Sequence, residues 1–548
     1  MSREQYVVGV DVGTGSVRAA LVRSDGSFVK VATQATQTWN PAPGYYQQSS
    51  MDIWYCCCKV IKEVLKDVAP EQVKGLGFDA TCSLVVLDQT GKPLTVSPTG
   101  EVDQNIILWM DHRAHHEAKL VNDTKHEVLK YVGGKISLEM EIPKLMWLKK
   151  CLPKTWKQAG KFFDLPDFLT WKATGTDSRS LCSVVCKWTY EVDVDTGVVK
   201  GWNRHFFGLL GLSDLLDNDC AKIGQVILPP GSPCGSGLSA EAAKELGLIV
   251  GTPVATSIID AHAGGLGLIG CTFTGLPCDF TSRLCLICGT SSCHMAVSQS
   301  PIMVPGVWGP YFSAMVPALW LSEGGQSATG KLLDHIIDTH PATAGIRAMN
   351  AGIHLVTYLN KLLEQLASSE GLDSIDQLTQ DLHVWPDLHG NRSPLADPTL
   401  RGMVSGLTLS SDSKDLALLY LATVQALAYG TRHILDSLET AGHHKMECLL
   451  ICGGLSKNPV FVKTQASVIG RAVLLPQRTE AVLGGAAMLA AFAAGLYPFV
   501  EAAVTAMAGP ADLIEPDAHS IEYHNRKYTI FLKMVEDQQA YRNIMHSK

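Results

Sequence analysis

Short apolar runs that end at glycine-rich turns form the clearest pattern in the chain. One run covers residues 6–10 and leads into Asp-Val-Gly-Thr-Gly-Ser at 11–16, and another covers residues 284–287 and leads into Cys-Gly-Thr-Ser-Ser at 288–292. Each run has the length of a buried strand, and glycine is an ordinary turn residue, so each segment predicts a β-hairpin. A single hairpin of this kind does not indicate a function. Two of them, about 280 residues apart, indicate two similar halves.

Longer periodic segments alternate with further strands. Apolar residues at helical spacing predict helices at 53–68, 143–150, 240–246, 344–370 and 415–441. Apolar runs predict strands at 75–79, 84–88, 314–316 and 319–321. The stretch 270–279, with Gly275 and Pro277, is typical of a crossing between domains. The sequence therefore predicts an α/β chain with two domains of similar design, residues 1–270 and 271–548.

Two more segments of small residues complete this pattern and point to a nucleotide. An apolar run at 450–452 leads into Gly453-Gly454, a flat turn against which adenine and ribose can lie, and residues 482–488 offer a small-residue helix face for close packing. In the two hairpins, backbone N–H groups can approach phosphate, hydroxyl groups add donors, and the Asp11 carboxylate can hold Mg²⁺ through water. The residues predicted to bind ATP are Asp11, Gly13, Thr14, Gly15, Ser16, Gly289, Thr290, Ser291, Gly453, Gly454 and Asn458.

Composition and charge agree with an enzyme that acts on small molecules. The chain has 548 residues, 46% of them apolar, which is enough for more than one core. It shows neither an apolar run of about 20 residues nor a basic and apolar leader, so we expect a cytoplasmic protein without a membrane partner. The 16 cysteines lie within strand and helix patterns and are expected to be reduced thiols. A net charge of −8 argues against a nucleic-acid partner, and a homodimer is allowed.

The order of these segments resembles that of the FGGY carbohydrate kinase family over the whole chain. The match continues through Ile-Ile-Asp-Ala-His-Ala-Gly-Gly at 258–265 and Gly-Met-Val-Ser-Gly-Leu at 402–407. Within the family, segments 79–84 and 109–114 resemble ribulokinase-like pentulose kinases. The resemblance implies two actin-like ATPase domains of the ribonuclease H-like type with the catalytic cleft between them. It also implies ATP-dependent phosphorylation of a sugar.

A sugar hydroxyl needs a carboxylate to accept its proton as it attacks phosphorus, and Asp260 is the predicted catalytic base. It follows the apolar run 254–259 and precedes a small-residue helix start, where the helix N-terminus favours the ionised form. On the residue pattern alone, an ordinary N-cap aspartate is an open alternative. The resemblance favours the base, because the family's catalytic aspartate occupies the matching turn.

Directed hydrogen bonds to vicinal hydroxyls would hold the sugar. Asp111 and Arg113 could supply them, and a salt-bridged turn is the alternative explanation of that pair. The resemblance to ribulokinases adds Lys187 and Glu323, although a lysine is more often simply solvated. The residues predicted to bind the substrate are Thr81, Cys82, Ser83, Asp111, Arg113, Lys187, Asp260 and Glu323.

Several histidines could be interpreted as catalytic residues or as metal ligands. His262 stands two residues after Asp260, and a structural role is favoured for it. His112, His115 and His116 are close in sequence, but no third ligand pattern accompanies the spacing of His112 and His116, so no zinc site is predicted there. The polar loop 387–394 receives no role.

The predicted reaction is the phosphorylation of D-ribulose to D-ribulose 5-phosphate, because segment 81–86 resembles eukaryotic D-ribulokinases. L-ribulose, D-xylulose and ribitol remain alternatives, since they differ from D-ribulose by hydroxyl stereochemistry or by one functional group. A second class of function is an actin-like ATPase module that binds a protein partner. Stimulation of ATP turnover by a free ketopentose distinguishes the two classes.

Overall fold

Two mixed sheets, one in each half of the chain, organise the computed structural model, which describes residues 4–349 and 352–546. The strands of the N-terminal half are β1 Tyr6–Val12, β2 Ser16–Arg23, β3 Phe28–Ala35, β4 Gln47–Gln48, β5 Val73–Ala80, β6 Leu84–Asp88, β7 Ile106–Ile107, β8 Ala159–Asp164, β9 Ser178–Ser180, β10 Glu191–Val192, β11 Val199–Gly201, β12 Val226–Leu228 and β13 Ile258–Ile259. The strands of the C-terminal half are β14 Arg283–Cys288, β15 Ser292–Ser298, β16 Trp308–Phe312, β17 Trp320–Gln326, β18 His383–Trp385, β19 Met403–Ser405, β20 Cys448–Gly453, β21 Ala472–Pro476 and β22 Ala511–Ile514.

Helices cover both sheets and fill the space between them. In the N-terminal half they are α1 Ser50–Val64, α2 His115–Asp123, α3 Glu141–Cys151, α4 Pro153–Gln158, α5 Leu165–Thr174, α6 Leu181–Lys187, α7 Arg204–Leu209, α8 Asp217–Cys220, α9 Ala240–Leu246 and α10 Asp260–Ile269. In the C-terminal half they are α11 Gly330–Thr339, α12 Ala342–Met349, α13 Leu355–Glu370, α14 Ser413–Thr440, α15 Pro459–Ile469, α16 Ala481–Ala493, α17 Val500–Met507 and α18 Ala518–His546. None of the described helices has the length and apolar character needed to cross a membrane.

The two large sheets repeat one topology. The first has the order β13-β5-β1-β2-β3, in which β1, β2 and β3 form an antiparallel meander and β5 and β13 run parallel to β1. The second contains the same arrangement as β21-β20-β14-β15-β17, extended by β16 and β22. All seven residues of β1 are buried, as expected for a strand covered on both faces. Each half therefore places a hairpin, β1–β2 or β14–β15, at the centre of its sheet.

Small residues let α10 and α16 pass between the sheets at close range. A Cβ atom added to Gly485 of α16 would lie 2.1 Å from the carbonyl oxygen of Ala263 in α10. One added to Gly9 of β1 would lie 2.4 Å from the carbonyl oxygen of Leu483. Residues 482–488 thus do pack closely, as their composition predicts. Helix α16 belongs to the C-terminal half but packs on β1 and β5 of the N-terminal half.

Two predicted elements are wrong. Residues 314–316 form no strand; they are buried in an irregular turn, and a short apolar run cannot by itself distinguish these states. The helix predicted at 344–370 is divided into α12 and α13, because Gly352 has a φ of 99°, outside the helical region. Residues 350–351 of that segment lie outside the described residues. All 16 cysteines are free thiols, as expected. The boundary at residue 270 falls between α10 and β14 and stays a prediction.

Candidate active site

Three aspartates stand at the same edge of the first sheet, where neighbouring parallel strands end. Asp11 near the end of β1 is paired in register with Asp79 near the end of β5. Ile258 of β13 is in turn paired with Asp79, and Asp260 follows two residues later as the first residue of α10. The carboxyl edge of a parallel sheet is where such folds bind ligands. The register therefore brings the predicted base and the predicted Mg²⁺-binding residue together.

The charges of this cluster are only partly balanced. Burial, followed by the carboxyl of Asp11, raises the pKa of Asp79 well above its ordinary value. The same two causes raise the pKa of Asp260 to about 7, while the N–H of Ala261 and the charge of Lys187 act in the opposite direction. The guanidinium of Arg18 donates from Nε to Asp11 Oδ2 at 2.9 Å and from Nη1 to Glu480 Oε2 of the C-terminal half at 2.6 Å.

This acidic cluster fits a divalent cation that prefers oxygen ligands. Asp79 is fully buried, and neither of its carboxyl oxygens receives a hydrogen bond from the described part of the chain. Orphaned buried carboxyl oxygens beside two further carboxyl groups are unfavourable unless protons or a cation compensate them. The three carboxyl groups do not bring one oxygen each within 4.8 Å of one another, so they fit a hydrated Mg²⁺ held through water rather than an ion bound directly by all three.

The two hairpin turns present free backbone surface to the cleft. In the first, the N–H of Gly13 donates to the carbonyl of Ser16 at 3.0 Å, and in the second the N–H of Gly289 donates to the carbonyl of Ser291 at 2.8 Å. Gly15 and Gly289 are exposed. A Cβ atom added to Gly289 would have no neighbour closer than 3.8 Å, so the turn leaves room where a phosphate could approach. Both segments form hairpin turns, as their sequences predict, but the first turn is closed by a bond between residues three apart and the second by a bond between residues two apart.

The Gly453-Gly454 turn lies beside the second hairpin. Gly453 ends β20 and is paired in register with Cys288 at the end of β14. Both glycines are exposed, and a Cβ atom on Gly453 would lie 2.2 Å from the carbonyl oxygen of Cys288. Asn458, by contrast, is buried: its Oδ1 caps α15 through the N–H of Val460, and its Nδ2 donates to the hydroxyl of Tyr420 at 2.7 Å. Contact of Asn458 with a nucleotide stays a prediction.

Lys187 and Glu323 meet across the cleft, as the pentulose kinase resemblance implies. Lys187 ends α6 in the N-terminal half, Glu323 lies in β17 of the C-terminal half, and Nζ is 4.0 Å from Oε2. Both side chains are 2% exposed. Burial would lower the pKa of Lys187, but the carboxylate of Glu323 raises it well above its ordinary value, so the ammonium remains charged. The charges of both groups act on the pKa of Asp260.

Arg392, from the 387–394 loop, is the main addition to the predicted site. Its Nη2 donates to Glu323 Oε1 at 2.6 Å and is 3.8 Å from Glu139 Oε2 of the N-terminal half. The guanidinium carbon lies 4.0 Å from the ring centre of Trp308. Burial would raise the pKa of Glu323, but Lys187 and Arg392 hold it below its ordinary value. Glu323 is therefore a buried carboxylate held between two cations.

The other predicted sugar residues fall into two groups. Thr81, Cys82 and Ser83 follow β5 directly, and the Cys82 thiol is close enough to Lys187 for its pKa to be affected by that charge. Asp111 and Arg113 form a fully buried pair, with Nη2 to Oδ2 at 2.7 Å. Arg113 uses its remaining Nη1 on the carbonyl of Val96, so the hydrogen bonds seen for this pair are internal to the fold. Their contact with sugar stays a prediction.

Of the histidines named from the sequence, His262 is buried and His112 is stacked, whereas His115 and His116 are exposed at the start of α2. His262 is fully buried, and burial lowers its pKa to about 4. The ring of His112 stacks on that of His389 from the 387–394 loop, with 5.9 Å between ring centres. The loop therefore reaches the N-terminal half at two points, through His389 and through Arg392.

Sequence reasoning missed two residues of this site. Asp79 ends a run recognised as a strand, and its pairing with Asp11 could have been found by aligning the two predicted parallel strands. Arg392 lies 69 residues from Glu323 along the chain, and its loop shows only that it is polar. No local pattern connects the two, because the contact depends on how the loop folds back onto β17.

Comparison with known proteins agrees with this geometry. The N-terminal domain of the FGGY family of carbohydrate kinases matches residues 6–267, and the C-terminal domain of that family matches residues 284–494. A Homo sapiens protein named FGGY carbohydrate kinase domain-containing protein is 52% identical over 99% of this chain and 98% of its own length. A Saccharomyces cerevisiae protein named D-ribulokinase is 40% identical over 89% of this chain and 72% of its own length.

Solved structures show the same fold. A xylulose kinase from Rhodospirillum rubrum superposes with a TM-score of 0.78 and 22% identity, covering 98% of this chain and 99% of that one. A gluconate kinase from Lactobacillus acidophilus also gives 0.78, with 16% identity, covering 97% and 98% of the two chains. The fold is thus shared with sugar kinases, and this chain belongs to the FGGY family of carbohydrate kinases.

Proposed function

We propose that this carbohydrate kinase transfers the γ-phosphoryl group of ATP to D-ribulose and forms D-ribulose 5-phosphate. The observation that carries the proposal is the pairing of Lys187 with Glu323 across the two halves, with the charges of both groups acting on the pKa of Asp260. A carboxylate base, a buried ammonium and a second buried carboxylate are the groups needed to orient a polyhydroxylated substrate and remove one of its protons.

In the proposed reaction, the carboxylate of Asp260 accepts the proton of the attacking sugar hydroxyl. The hydroxyl oxygen forms a bond to the γ-phosphorus while the bond between that phosphorus and the bridging oxygen breaks, and ADP leaves. A pKa of about 7 suits a base at neutral pH, because it combines a substantial ionised fraction with real affinity for the proton. Lys187 and Glu323 fix the sugar by donating to and accepting from its hydroxyl groups.

The nucleotide is proposed to lie along the two hairpin turns and the Gly453-Gly454 turn. Backbone N–H groups of the hairpin turns would cradle its phosphates, and the open surface of the exposed glycines would allow close approach. Asp11, with Asp79 beside it, would hold Mg²⁺ through water, and Mg²⁺ when bound would offset negative charge on the phosphoryl oxygens. Arg18 balances Asp11 and joins the two halves through Glu480.

The choice of D-ribulose rests on similarity to a protein of that printed activity, which is 40% identical to this chain. L-ribulose, D-xylulose and ribitol are the competing substrates. A misplaced hydroxyl that leaves Glu323 or Lys187 without its partner would cost roughly 1 to 3 kcal/mol, or about a factor of 5 to 150 in kcat/KM. Free thiols throughout the chain support a reducing, cytoplasmic location as part of the same proposal.

The test is a panel of free sugars and polyols with Mg²⁺ and ATP, in which ADP formation and the phosphorylated product are both measured. We expect D-ribulose to give the highest kcat/KM. A higher kcat/KM for L-ribulose, D-xylulose or ribitol would refute D-ribulose as the substrate but would leave the proposed kinase activity in place. If no sugar or polyol stimulated ADP formation, a partner-binding ATPase would become the better explanation.

A further inference from the structure

Two thiols and an imidazole that the proposed phosphoryl transfer does not use lie together beside the sugar pocket. Cys182 and Cys186 are four residues apart on α6 and so share one face of that helix, while His262 lies in the first turn of α10. One ligand atom from each lies within 4.8 Å of the others, and all three residues are fully buried. Within residues 4–349 and 352–546, no other group of His, Cys, Asp and Glu meets this spacing.

Two distances from the His262 imidazole match edges of a tetrahedral metal site. With metal–sulfur and metal–nitrogen bonds of about 2.3 and 2.05 Å, a regular tetrahedron has a sulfur–nitrogen edge of about 3.6 Å. Cys186 Sγ lies 3.6 Å from His262 Nε2. A carboxylate oxygen at about 2.1 Å would lie about 3.4 Å from the same nitrogen. Glu323 Oε2 lies 3.5 Å from His262 Nε2.

Glu323 Oε2 lies outside the set of atoms that are within 4.8 Å of one another, so it becomes a fourth ligand only if its side chain moves toward the two thiols. Glu323 is 2% exposed, and its Oε2 receives no hydrogen bond from the described residues, since Arg392 donates to Oε1. A neutral imidazole is the form of histidine that binds metals. The candidate ligands are therefore two thiols, one imidazole and one buried carboxylate.

We propose that Cys182, Cys186 and His262 form a site for a thiophilic divalent cation, Zn²⁺ in the first place, and that the Glu323 carboxylate moves to complete it. Two sulfur ligands and one nitrogen ligand in a tetrahedral arrangement select Zn²⁺ and Cd²⁺ over Mg²⁺, which prefers six oxygen ligands. Binding replaces the two thiol protons, which are released to solvent. The first three ligands come from the N-terminal half and the fourth from the C-terminal half, so the site is complete only when the halves are together.

Occupancy of this site should inhibit the kinase, a consequence that rests on the proposed function. Glu323 Oε2 is the atom 4.0 Å from Lys187 Nζ, and a bound cation would draw that carboxylate away from the sugar. Zn²⁺ should therefore compete with sugar and leave ATP binding unchanged. Its action should be slow, because a fully buried site requires the halves to separate before the ion can enter.

The first test is independent of activity. The purified full-length protein is titrated with Co²⁺, which takes the same tetrahedral geometry, and the thiolate-to-cobalt charge-transfer absorption is recorded with excess Mg²⁺ present. We expect one Co²⁺ per chain, displaced by Zn²⁺, and loss of the band in both Cys182→Ser and Cys186→Ser. Cys57→Ser is the matched control, because Cys57 is as buried as Cys186 but belongs to α1 in another part of the core. Thermal unfolding checks that each variant is folded.

The second test follows sugar phosphorylation after incubation with Zn²⁺ at saturating Mg²⁺. The Zn²⁺ concentration for half inhibition should rise at least about tenfold in the two cysteine variants, but not in Cys57→Ser, and a chelator should restore activity. Absence of the cobalt–thiolate band in the folded wild-type protein would overturn the site. Equal inhibition of wild type and cysteine variants would refute the inhibitory role and locate Zn²⁺ at the Mg²⁺ site. A band in a protein that phosphorylates no sugar would support the metal site while the proposed function fails.

Discussion

Replacing Arg392 by methionine should destabilise the protein far more than replacing an equally well paired arginine on the surface. Arg392 donates to Glu323 at 2.6 Å with side chains 8% and 2% exposed. Arg347 donates to Asp338 at the same 2.6 Å, but these side chains are 59% and 53% exposed. The two substitutions thus remove the same kind of ion pair at the same distance from buried and from exposed surroundings, and Arg392 also loses its contacts with Glu139 and Trp308.

The magnitude follows from the charge left behind. Removing one partner of a buried ion pair typically costs about 3 to 5 kcal/mol, whereas an exposed pair contributes less than about 1 kcal/mol. Lys187 still lies 4.0 Å from Glu323, so we expect the lower end, about 3 kcal/mol. For domains of the relevant size that corresponds to a fall in Tm of roughly 6 °C or more, against at most about 2 to 4 °C for Arg347→Met.

The destabilisation should also depend on pH in a defined direction. In the wild type the folded-state pKa of Glu323 is below its ordinary value, so its stabilising contribution is present above the unfolded pKa and is lost only as pH falls through the folded one. Without Arg392, burial raises that pKa, and the penalty of a buried carboxylate should grow as pH rises. Differential scanning calorimetry at pH 5 and pH 8 measures both effects. Equal losses of Tm in the two variants, or a larger deficit at pH 5, would refute this account of Glu323.

Three further predictions test the nucleotide site, the packing between the halves and the base. Gly289→Val should abolish measurable ATP binding by calorimetry while Tm changes little, because the turn has room for the valine side chain, which would then fill the space that a phosphate needs. Unchanged ATP affinity would show that the turn is misassigned. Gly485→Ala should cost at least about 1 to 3 kcal/mol, because its Cβ would lie 2.1 Å from the carbonyl oxygen of Ala263, whereas Gly484→Ala, with its nearest neighbour at 3.8 Å, should be neutral or stabilising in thermal unfolding. The kcat/KM for sugar should rise with pH through an apparent pKa near 7 as Asp260 loses its proton, and a flat profile between pH 6 and 8 would argue against that pKa.

The turns and the position of Asp260 depend on residues that are neighbours in the chain, so they could be predicted from the sequence. The two hairpin turns and the Gly453 turn rest on strand-then-glycine patterns, and the structure has each of them where the pattern lies. Asp260 stands at the start of α10 because the apolar run of β13 ends there. The contribution of Arg392 could not be predicted, because its contact with Glu323 joins a loop to a strand 69 residues away. The division of the helix at Gly352 was missed because a single glycine inside a helical pattern is often tolerated.

The most direct test of the central claim is a single-turnover measurement of phosphoryl transfer from ATP to D-ribulose by the wild type and by Asp260→Asn. The amide preserves the shape of the side chain but cannot accept the proton of the attacking hydroxyl. The account predicts that the rate of transfer falls by about 100-fold or more while the Kd for ATP stays within about twofold of the wild-type value. A folded Asp260→Asn variant that transfers phosphate to sugar at the wild-type rate would contradict the account.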